Sequence, residues 1–424
     1  MSIRQRFLSI GTMSGTSMDG VDVALIETDG FYDIREIAHV SFDYPLEFKL
    51  HLKAAEYLVR QRLGDMQGIE KILVEDFLSS YLKDALQMTE AKIAEKISEI
   101  PRLNFQDIVR KLTEYHQQAI QLLLDKIKEK KLNIDVIGFH GQTLYHQPHR
   151  KITIQVGDGA WLARTLNLKV VHDFRSRDVS MGGQGAPFAP LYHQALAVRD
   201  KVYPVGVINC GGIANISLIQ GPHPADLLGF DTGPGNGLID LWVKRHTHFK
   251  EVMDVDGQYG FQGKVNETVL QQLYQQSILI NQENYFEMPF PKSLDINDLK
   301  LIPALETLSF EDACRTLEAF TADTIVSSLE RLNKAKPQLL VLAGGGWYNP
   351  VIKAEFETRV HQRLGESVQV KTVDAIGWNS QAMEAQIFAY LAVRNLLGEP
   401  ISFPETTGVP VPLCGGTVCL VGDK

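Results

Sequence analysis

The strongest constraint on the fold is that one order of strands, glycine-rich turns and helices occurs twice along the chain. Runs of β-branched and aliphatic residues in the first half predict strands at 7–10, 21–26, 34–42, 136–139, 152–156 and 170–171. Similar runs in the second half predict strands at 205–210, 214–219, 227–231, 339–343 and 368–373. Each half begins with three successive strands and continues with helices that alternate with strands. The sequence therefore predicts an internally duplicated α/β protein of two lobes, with a cleft between them.

A long helical region interrupts the first half. Between residues 46 and 131 glycine and proline are sparse, and apolar residues such as Ile69, Leu73 and Phe77 recur at helical spacing. Pro101 breaks this region, so two or three long helices are predicted.

The duplicated pattern also sets the expected domain limits. We assign the N-terminal lobe to residues 1–200, including the helical insert at 46–131, and the C-terminal lobe to residues 201–424. Whether the last predicted helix, 380–396, returns to the N-terminal lobe stays open at this point.

Composition narrows the classes of partner. A chain of 424 residues with 44% hydrophobic content can bury a large core. Its net charge of −9 and pI near 5.8 argue against a nucleic-acid partner. No stretch approaches the roughly 18 apolar residues of a membrane span, and four scattered cysteines do not suggest a disulfide framework. A soluble, cytoplasmic protein without a membrane or nucleic-acid partner is expected.

The segment 11–20, GTMSGTSMDG, joins the first two predicted strands. Its glycines allow backbone N–H groups to approach an anion, and its hydroxyl groups can donate to phosphate oxygens. Asp19 and Asp22 could hold a hydrated Mg²⁺ ion through water. The segment is not a Walker A loop, because no Gly-Lys-Ser/Thr follows. The alternative is a polar hairpin loop that binds no ligand.

Glycine-rich turns follow a predicted strand at three places: segment 11–20, Gly211-Gly212, and Gly344 to Gly346. Each alone could be an ordinary tight turn. Three such turns in a duplicated fold favour a nucleotide site, in which one loop from each lobe holds the phosphates and a third surface holds the base and sugar.

Asp231 is the leading candidate for a general base. It ends an apolar strand within the glycine-rich segment 229–236, GFDTGPGN, where a carboxylate can point into a cleft. The alternative is that Asp231 caps the following helix, since Asp is a favoured N-cap residue.

Other charged segments remain ambiguous from their residues alone. Arg175 and Arg177, within the segment 172–178, could clamp anionic oxygens, or the charges of that segment could satisfy one another. The segment 139–143, FHGQT, is interpreted as a strand-end loop that lines the cleft. Glu384, in a late helix, would be an ordinary surface residue on pattern alone.

Together these segments resemble one known family, the anhydro-N-acetylmuramic acid kinases, which are sugar kinases of the actin/hexokinase/Hsp70 superfamily. The resemblance covers nearly the whole chain in the right order, and the first and eighth of its motifs are highly specific. The motifs are 13–22 (MSGTSMDGVD), 138–143 (GFHGQT), 155–157 (QVG), 173–175 (DFR), 182–187 (GGQGAP), Asn209, Gly211-Gly212, 229–236 (GFDTGPGN) and 344–346 (GGG).

The resemblance implies a fold and an activity. The fold would be the two-lobed, duplicated actin-like ATPase fold, which is ribonuclease H-like, with an interdomain cleft. The activity would be ATP-dependent conversion of 1,6-anhydro-N-acetylmuramic acid and water to N-acetylmuramic acid 6-phosphate, in the recycling of cell-wall peptidoglycan. In this mechanism Asp231 takes a proton from water, which attacks the anomeric carbon, and the freed sugar O6 meets the γ-phosphate.

The resemblance also assigns site residues. Asp231 is the catalytic residue, and substrate contacts are expected from Glu384, from Arg177 through the segment that begins at Asp173, and from His140 and Gln142 of the cleft loop. No protein side chain is expected to ligate Mg²⁺ directly. The residues expected to bind ATP are Gly15, Thr16, Ser17, Met18, Asp19, Gly20, Val21, Asp22, Gly211, Gly212, Gly344, Gly345 and Gly346.

Two departures from the family pattern keep alternatives open. The helical insert is longer than the family resemblance leads us to expect of a bacterial member, and the segment 291–295 reads PKSLD where the family often has Pro-Lys-Ser-Thr-Gly-Arg-Glu. One alternative is a kinase of the same fold that acts on another small sugar. The other is an actin- or Hsp70-like nucleotide switch without a sugar substrate. A homodimer is one option among oligomeric states, which the sequence leaves open.

Overall fold

The computed structural model describes residues 4–15, 17–84, 89–98, 100–248, 250–332 and 335–422. The strands are β1 (Phe7–Met13), β2 (Gly20–Thr28), β3 (Ile34–Asp43), β4 (Val136–Phe139), β5 (Gln142–Gln147), β6 (Ile152–Val156), β7 (Val170–His172), β8 (Val205–Cys210), β9 (Ile213–Ile219), β10 (Leu227–Pro234), β11 (Leu279–Ile280), β12 (Glu283–Asn284), β13 (Leu339–Ala343), β14 (Gln369–Thr372) and β15 (Thr417–Cys419). The helices are α1 (Leu46–Gln61), α2 (Glu75–Asp84), α3 (Glu90–Ser98), α4 (Phe105–Ile127), α5 (Gly159–Leu166), α6 (Ser176–Ser180), α7 (Ala189–Asp200), α8 (Gly237–His246), α9 (Glu267–Gln276), α10 (Phe310–Arg331), α11 (Pro350–Leu364) and α12 (Met383–Leu396).

The chain divides into two compact units. The first contains the chain up to Phe188, together with Gln381–Pro404 and the chain from Val409 onward. The second contains Ala189–Ser380 and Glu405–Gly408. This boundary lies before the expected one at residue 200, because α7 packs on β9 and β10 of the second unit. Helix α12, whose place the sequence leaves open, belongs to the first unit.

Five strands of the first main sheet have the same topology as the second main sheet, and β15 adds a sixth, antiparallel strand to the first. In the first unit the strand order is β15-β7-β4-β1-β2-β3, and in the second it is β10-β9-β8-β13-β14. In both, three consecutive strands form an antiparallel meander, and two later strands extend the sheet parallel to the first strand of that meander. The predicted internal duplication is therefore confirmed as two copies of a ribonuclease H-like sheet, the arrangement of the actin-like ATPases.

Parallel pairing determines where the glycine-rich turns lie within each unit. Strands β1 and β4 run in parallel, as do β8 and β13, so in each sheet the carboxyl ends of the pair meet at one edge. The loop after β1 and the loop after β4 therefore share an edge of the first sheet. The turns after β8 and β13 share an edge of the second.

Helix α12 packs across the middle of the first sheet, on β1, β2 and β4. The contact is close because small residues face each other: a Cβ atom added to Gly11 would lie 1.9 Å from the Ala385 carbonyl oxygen. Ser9 Oγ also donates to the Ala389 carbonyl oxygen at 2.7 Å. The glycine of the first strand is thus required by the helix that closes the sheet.

The predicted helical insert contains four helices, α1 to α4, rather than two or three long ones. After α1 the chain turns through Gly64 and Gly68, both with positive φ angles of 84° and 68°. Asn104 begins α4 with a capping box in which its side chain and that of Asp107 accept each other's backbone N–H groups. Apolar faces of α1 and α4 join the core of the first unit.

The core of the second unit surrounds α10, which is buried along most of its length and packs against β10, α8, α9 and α11. The predicted loop at 281–298 contains the short strand β12 and 3₁₀ turns. Among the residues that the structure describes, no helix is both long and apolar enough to cross a lipid bilayer.

Candidate functional site

The loop after β1 is held by a hydrogen-bond network beneath it. Ser14 Oγ donates to Gln142 Oε1 at 2.6 Å, and Gln142 Nε2 donates to the Gly15 carbonyl oxygen at 3.1 Å. The Tyr44 hydroxyl donates to Ser14 Oγ at 3.1 Å. Ser14, Tyr44 and Gln142 are all buried. The amide of Gln142, expected to contact substrate, is therefore committed to supporting this loop.

The remaining loop residues differ in what they can offer a ligand. Met18 and Val21 are each 1% exposed and belong to the apolar core, so they can reach a nucleotide only through the backbone. Ser17 is exposed, and Gly15 has open space at its Cβ position. Gly20 lies against the Phe42 carbonyl oxygen, 2.3 Å from where a Cβ would be. Thr16, also expected to bind ATP, lies outside the described residues.

The two aspartates of this hairpin lie in different surroundings. Asp19 is exposed and forms an ion pair with Lys49 at 3.3 Å. Asp22 accepts a hydrogen bond from Ser41 Oγ at 2.6 Å, and burial raises the pKa of its carboxyl group. Asp22 is thus the more enclosed of the two carboxylates expected to act near a hydrated cation.

His140, also expected to bind substrate, lies at the carboxyl end of β4 in direct contact with Arg175. Its Nδ1 lies 2.9 Å from the Gly141 carbonyl oxygen, and its Nε2 lies 3.0 Å from Arg175 Nη2. Burial and the neighbouring guanidinium hold the pKa of His140 well below its usual value. A neutral imidazole therefore donates from Nδ1 and accepts from Arg175 at Nε2.

Arg175 links this histidine to the segment before the second unit. Its Nη1 donates to the Gly185 carbonyl oxygen at 2.7 Å, and the Gly185 N–H donates to Asp178 Oδ1 at 2.6 Å. Burial lowers the pKa of Arg175 to about 10, which leaves it charged at neutral pH, and Asp178 and Glu384 oppose that shift.

Glu384 lies in the first turn of α12 and is accessible to solvent. The protein around it and the Asp22 carboxylate raise the pKa of its carboxyl group, while Arg175 opposes this effect. Within the first unit, Glu384 thus lies in electrostatic range of both Asp22 and Arg175. Arg177 is exposed on the short helix α6, and its nearest described contacts are those of its backbone carbonyl.

In the second unit Asp231 lies inside β10, opposite Asn215 of β9. Its carboxylate is 9% exposed, and its Oδ2 accepts the Leu294 N–H at 2.7 Å. Burial raises the pKa of Asp231 to about 7, against the Leu294 hydrogen bond and the charge of Lys292. The alternative of a helix cap is wrong, because α8 begins at Gly237 with Asn236 as its N-cap residue.

The two glycine turns of the second unit lie against each other. A Cβ on Gly344, whose φ angle is 91°, would lie 2.5 Å from the Cys210 carbonyl oxygen, directly before Gly211. The Gly211 and Gly212 carbonyl oxygens accept N–H groups from Asn236 at 2.8 Å and Gly235 at 2.9 Å.

The outer part of the third turn is the accessible one. Gly344 and Gly345 are exposed, and nothing lies within 4 Å of a Cβ on Gly345, whereas Gly346 is buried against Cys210. The first two glycines of this turn can thus face a ligand.

Sequence reasoning missed two features of these sites. Arg175, rather than Arg177, contacts His140 and acts electrostatically on Glu384; the signal was present, since Arg175 is the arginine of the Asp-Phe-Arg motif itself. The segment around Lys292 and Leu294 hydrogen-bonds to the backbone and the carboxylate of Asp231. No local pattern indicates that this segment returns to β10.

Comparison with known proteins identifies what the chain is similar to. The model of a family described as anhydro-N-acetylmuramic acid kinase matches residues 7–102 and 82–419. A protein of that name from Rhizorhabdus wittichii is 40% identical over 411 residues, which cover 97% of this chain and 98% of the relative. Proteins of the same name from Nitrobacter winogradskyi and Caulobacter vibrioides are each 37% identical, and the matches cover 97% and 96% of this chain and 98% of each relative.

Solved structures are far more distant. A ROK family glucokinase from Streptomyces griseus, in complex with glucose and AMPPNP, has a TM-score of 0.38 at 13% identity, with 91% of this chain and 99% of that chain covered. An activator of the 2-hydroxyisocaproyl-CoA dehydratase from Clostridium difficile, with bound ADPNP, has a TM-score of 0.37 at 11% identity, with 92% and 96% covered. At these scores neither likeness carries an argument, and the fold assignment rests on strand order.

Proposed function

Because the chain belongs to the anhydro-N-acetylmuramic acid kinase family, we propose that it uses ATP and water to convert 1,6-anhydro-N-acetylmuramic acid to N-acetylmuramic acid 6-phosphate. The single observation that carries the chemistry is Asp231, a buried carboxylate within the strand β10. Its pKa of about 7 suits a general base that works near neutral pH. A cytoplasmic location remains a prediction from the sequence.

The surroundings of Asp231 support this role. Its described side-chain hydrogen bond is to Oδ2, from Leu294, which leaves Oδ1 able to accept a proton from water. That water attacks the anomeric carbon, the bond from this carbon to the bridging oxygen breaks, and the freed O6 attacks the γ-phosphorus of ATP. The water proton passes to Asp231, and ADP leaves.

Two backbone loops support ATP binding, and contacts from Gly211 and Gly212 stay a prediction. The loop after β1 offers Gly15, Ser17 and the N–H groups that follow, held from beneath by Gln142. In the second unit the exposed glycines Gly344 and Gly345 leave room for a bulky ligand. Phosphoryl transfer depends mostly on such positioning and on neutralising charge.

Asp22, the more enclosed carboxylate of the hairpin and a hydrogen-bond partner of Ser41, is the side chain we assign to a hydrated Mg²⁺ ion, which it would hold through water. When bound, Mg²⁺ would neutralise charge on the ATP phosphates. We assign the sugar contacts to Glu384 and to the pair of His140 and Arg175, whose imidazole and guanidinium present fixed polar groups. Arg177, exposed on α6, stays a prediction for a further contact.

The test is a coupled ADP-release assay with purified protein, ATP and Mg²⁺, in which 1,6-anhydro-N-acetylmuramic acid is compared with glucose and N-acetylglucosamine. In ¹⁸O-labelled water the label should appear at C1 of the phosphorylated product. Phosphorylation of the simple sugars alone would favour the alternative of a different sugar substrate. ATP hydrolysis with no phosphorylated sugar would favour a nucleotide switch.

The role of Asp231 is tested separately with Asp231→Asn. Turnover should fall by at least about a thousandfold, because the amide cannot accept the proton, while the dissociation constant for ATP stays within a few-fold of wild type. Glu366→Gln, at an exposed position of the same unit, is the matched control and should be fully active. Near-normal activity in Asp231→Asn would place the proton acceptor elsewhere.

A further inference from the structure

One segment of the second unit, residues 285–294, holds Asp231 from three directions; we refer to it as the strap. The Asp231 N–H donates to the Lys292 carbonyl oxygen at 2.9 Å, and the Tyr285 hydroxyl donates to the Asp231 carbonyl oxygen at 2.6 Å. The Leu294 N–H donates to the carboxylate itself at 2.7 Å. The position of the carboxylate therefore depends on the conformation of the strap.

Lys292 is the residue that closes the strap on itself. It is 5% exposed, and its Nζ donates to the Tyr285 carbonyl oxygen at 2.9 Å. The same ammonium lies 4.1 Å from the centre of the Tyr285 ring and 5.2 Å from that of Phe290. A buried ammonium is unfavourable unless it is solvated by the protein, and here one carbonyl and the aromatic faces do so.

The charge of Lys292 acts on Asp231 through space. Burial and the nearby Arg331 of α10 lower the pKa of Lys292 to about 7, and Asp231 opposes this shift. Conversely, Lys292 opposes the rise that burial causes in the pKa of Asp231. Tyr285, the other titratable group that faces Asp231, has its pKa raised by burial and by that carboxylate, so it stays neutral. The charge of Lys292 thus favours the ionised form of Asp231, and the charge of Asp231 favours the protonated form of Lys292.

We propose that Lys292 is a positioning residue for the reaction, which locks the strap around Asp231 and keeps the Asp231 carboxylate ionised when it must accept a proton. The proposal rests on the function proposed above. The proposal gives a role to the segment 291–295, which departs from the family pattern at Leu294 but keeps the lysine at position 292. A lysine that only filled the core would affect folding but not the ionisation of Asp231.

The experiment compares Lys292→Met, Lys292→Gln and Lys292→Arg with Lys300→Met, at an exposed lysine of the same unit. The pH dependence of kcat and the KM for ATP are measured from pH 5.5 to 9.5 for each protein. Without the positive charge, the acidic limb of the kcat profile should move up by about one pH unit, and kcat at pH 7, near the wild-type midpoint, should fall about fivefold. The KM for ATP should stay within twofold.

The other variants separate charge from packing. Lys292→Arg keeps a cation and should retain the wild-type limb, whereas Lys292→Gln keeps a donor without charge and should behave like Lys292→Met. If Lys292→Met fails to fold, the comparison of the Arg and Gln variants decides. An unmoved limb in a folded, uncharged variant would overturn the proposal.

A readout that does not depend on activity distinguishes failure of this proposal from failure of the proposed function. In protein labelled with [4-¹³C]aspartate, the Asp231 carboxyl resonance is assigned by its absence in Asp231→Asn. Its titration midpoint should rise by about one pH unit in Lys292→Gln and remain unchanged in Lys300→Met. A wild-type protein that phosphorylates no anhydro-sugar would refute the function, while an unchanged midpoint in Lys292→Gln would refute the role of Lys292.

Discussion

We expect the ionised carboxylate of Asp231 to destabilise the folded protein, although catalysis depends on it. Replacing it with Asn removes a carboxylate that must be ionised inside the second unit at neutral pH, while keeping the shape and an acceptor for the Leu294 N–H. We therefore expect Asp231→Asn to be inactive and yet more resistant to thermal unfolding at pH 8.

The magnitude follows from the pKa. Burial raises the pKa of Asp231 from 3.8 to about 7, and each unit corresponds to about 1.4 kcal/mol, so the ionised form costs on the order of 4 kcal/mol in the folded protein. The Asn amide is itself a polar group that must be buried, which offsets part of the gain. We expect a net gain of about 2 kcal/mol, or roughly 4–8 °C in the melting temperature for a unit of this size.

The sign of the pH dependence is fixed by the direction of the shift. A carboxyl group whose folded pKa is raised carries no penalty below the unfolded pKa of 3.8, and the penalty grows until pH exceeds the folded value of about 7. The advantage of Asp231→Asn should therefore be full at pH 8 and less than half as large at pH 5.

The assay is differential scanning calorimetry of wild type, Asp231→Asn and the control Glu366→Gln at pH 5, 6.5 and 8. Equal melting temperatures for wild type and Asp231→Asn at pH 8 would refute the reasoning. A stabilisation of the same size at all three pH values would refute it too, because the effect would then have nothing to do with ionisation.

Three further substitutions test individual contacts. Gly11→Ala should destabilise the protein by more than about 2 kcal/mol, because its Cβ would clash with the Ala385 carbonyl oxygen on α12; an unchanged melting temperature would contradict that packing. Gly344→Ala should raise the KM for ATP several-fold and leave that for sugar unchanged, because it strains a φ of 91° and meets the Cys210 carbonyl oxygen; a change in the sugar KM alone would move this turn away from the nucleotide. Gln142→Leu should raise the KM for ATP about tenfold by releasing the loop after β1, and an effect confined to the sugar KM would instead support the predicted substrate contact of Gln142.

Much of the fold could be predicted from local pattern, because strand periodicity and glycine turns are short-range signals. The missed strand β5, QTLYHQ, carries polar and histidine residues and has weak strand character on its own; it forms by pairing with β6. The position of α12 could not be predicted either. An apolar helix does not reveal which sheet it covers, and the complementary small residues Gly11 and Ala385 are far apart in sequence.

The candidate site was likewise predicted only in part. The residue pattern led to Asp231 and the glycine turns, whereas Glu384 was found only through the family resemblance. The sequence could not predict the burial or the hydrogen-bond partners of these side chains. Gln142 supports the loop after β1, and Arg175 rather than Arg177 contacts His140. These contacts depend on which face of a strand or short helix points into the protein. A shift of one or two residues along the chain reverses that face.

The closure of the first unit by α12 and β15 has a consequence for synthesis. The ribosome synthesises β1, β2 and β4 long before α12, the helix that covers them. Almost all of the second unit, by contrast, is one continuous stretch of chain, Ala189–Ser380. We therefore expect the second unit to complete its fold first, in contrast to the usual order in which amino-terminal domains fold first. During translation the apolar face of β1, β2 and β4 stays uncovered until α12 has been synthesised, and a chain that terminates before α12 would expose that face to chaperones and to aggregation.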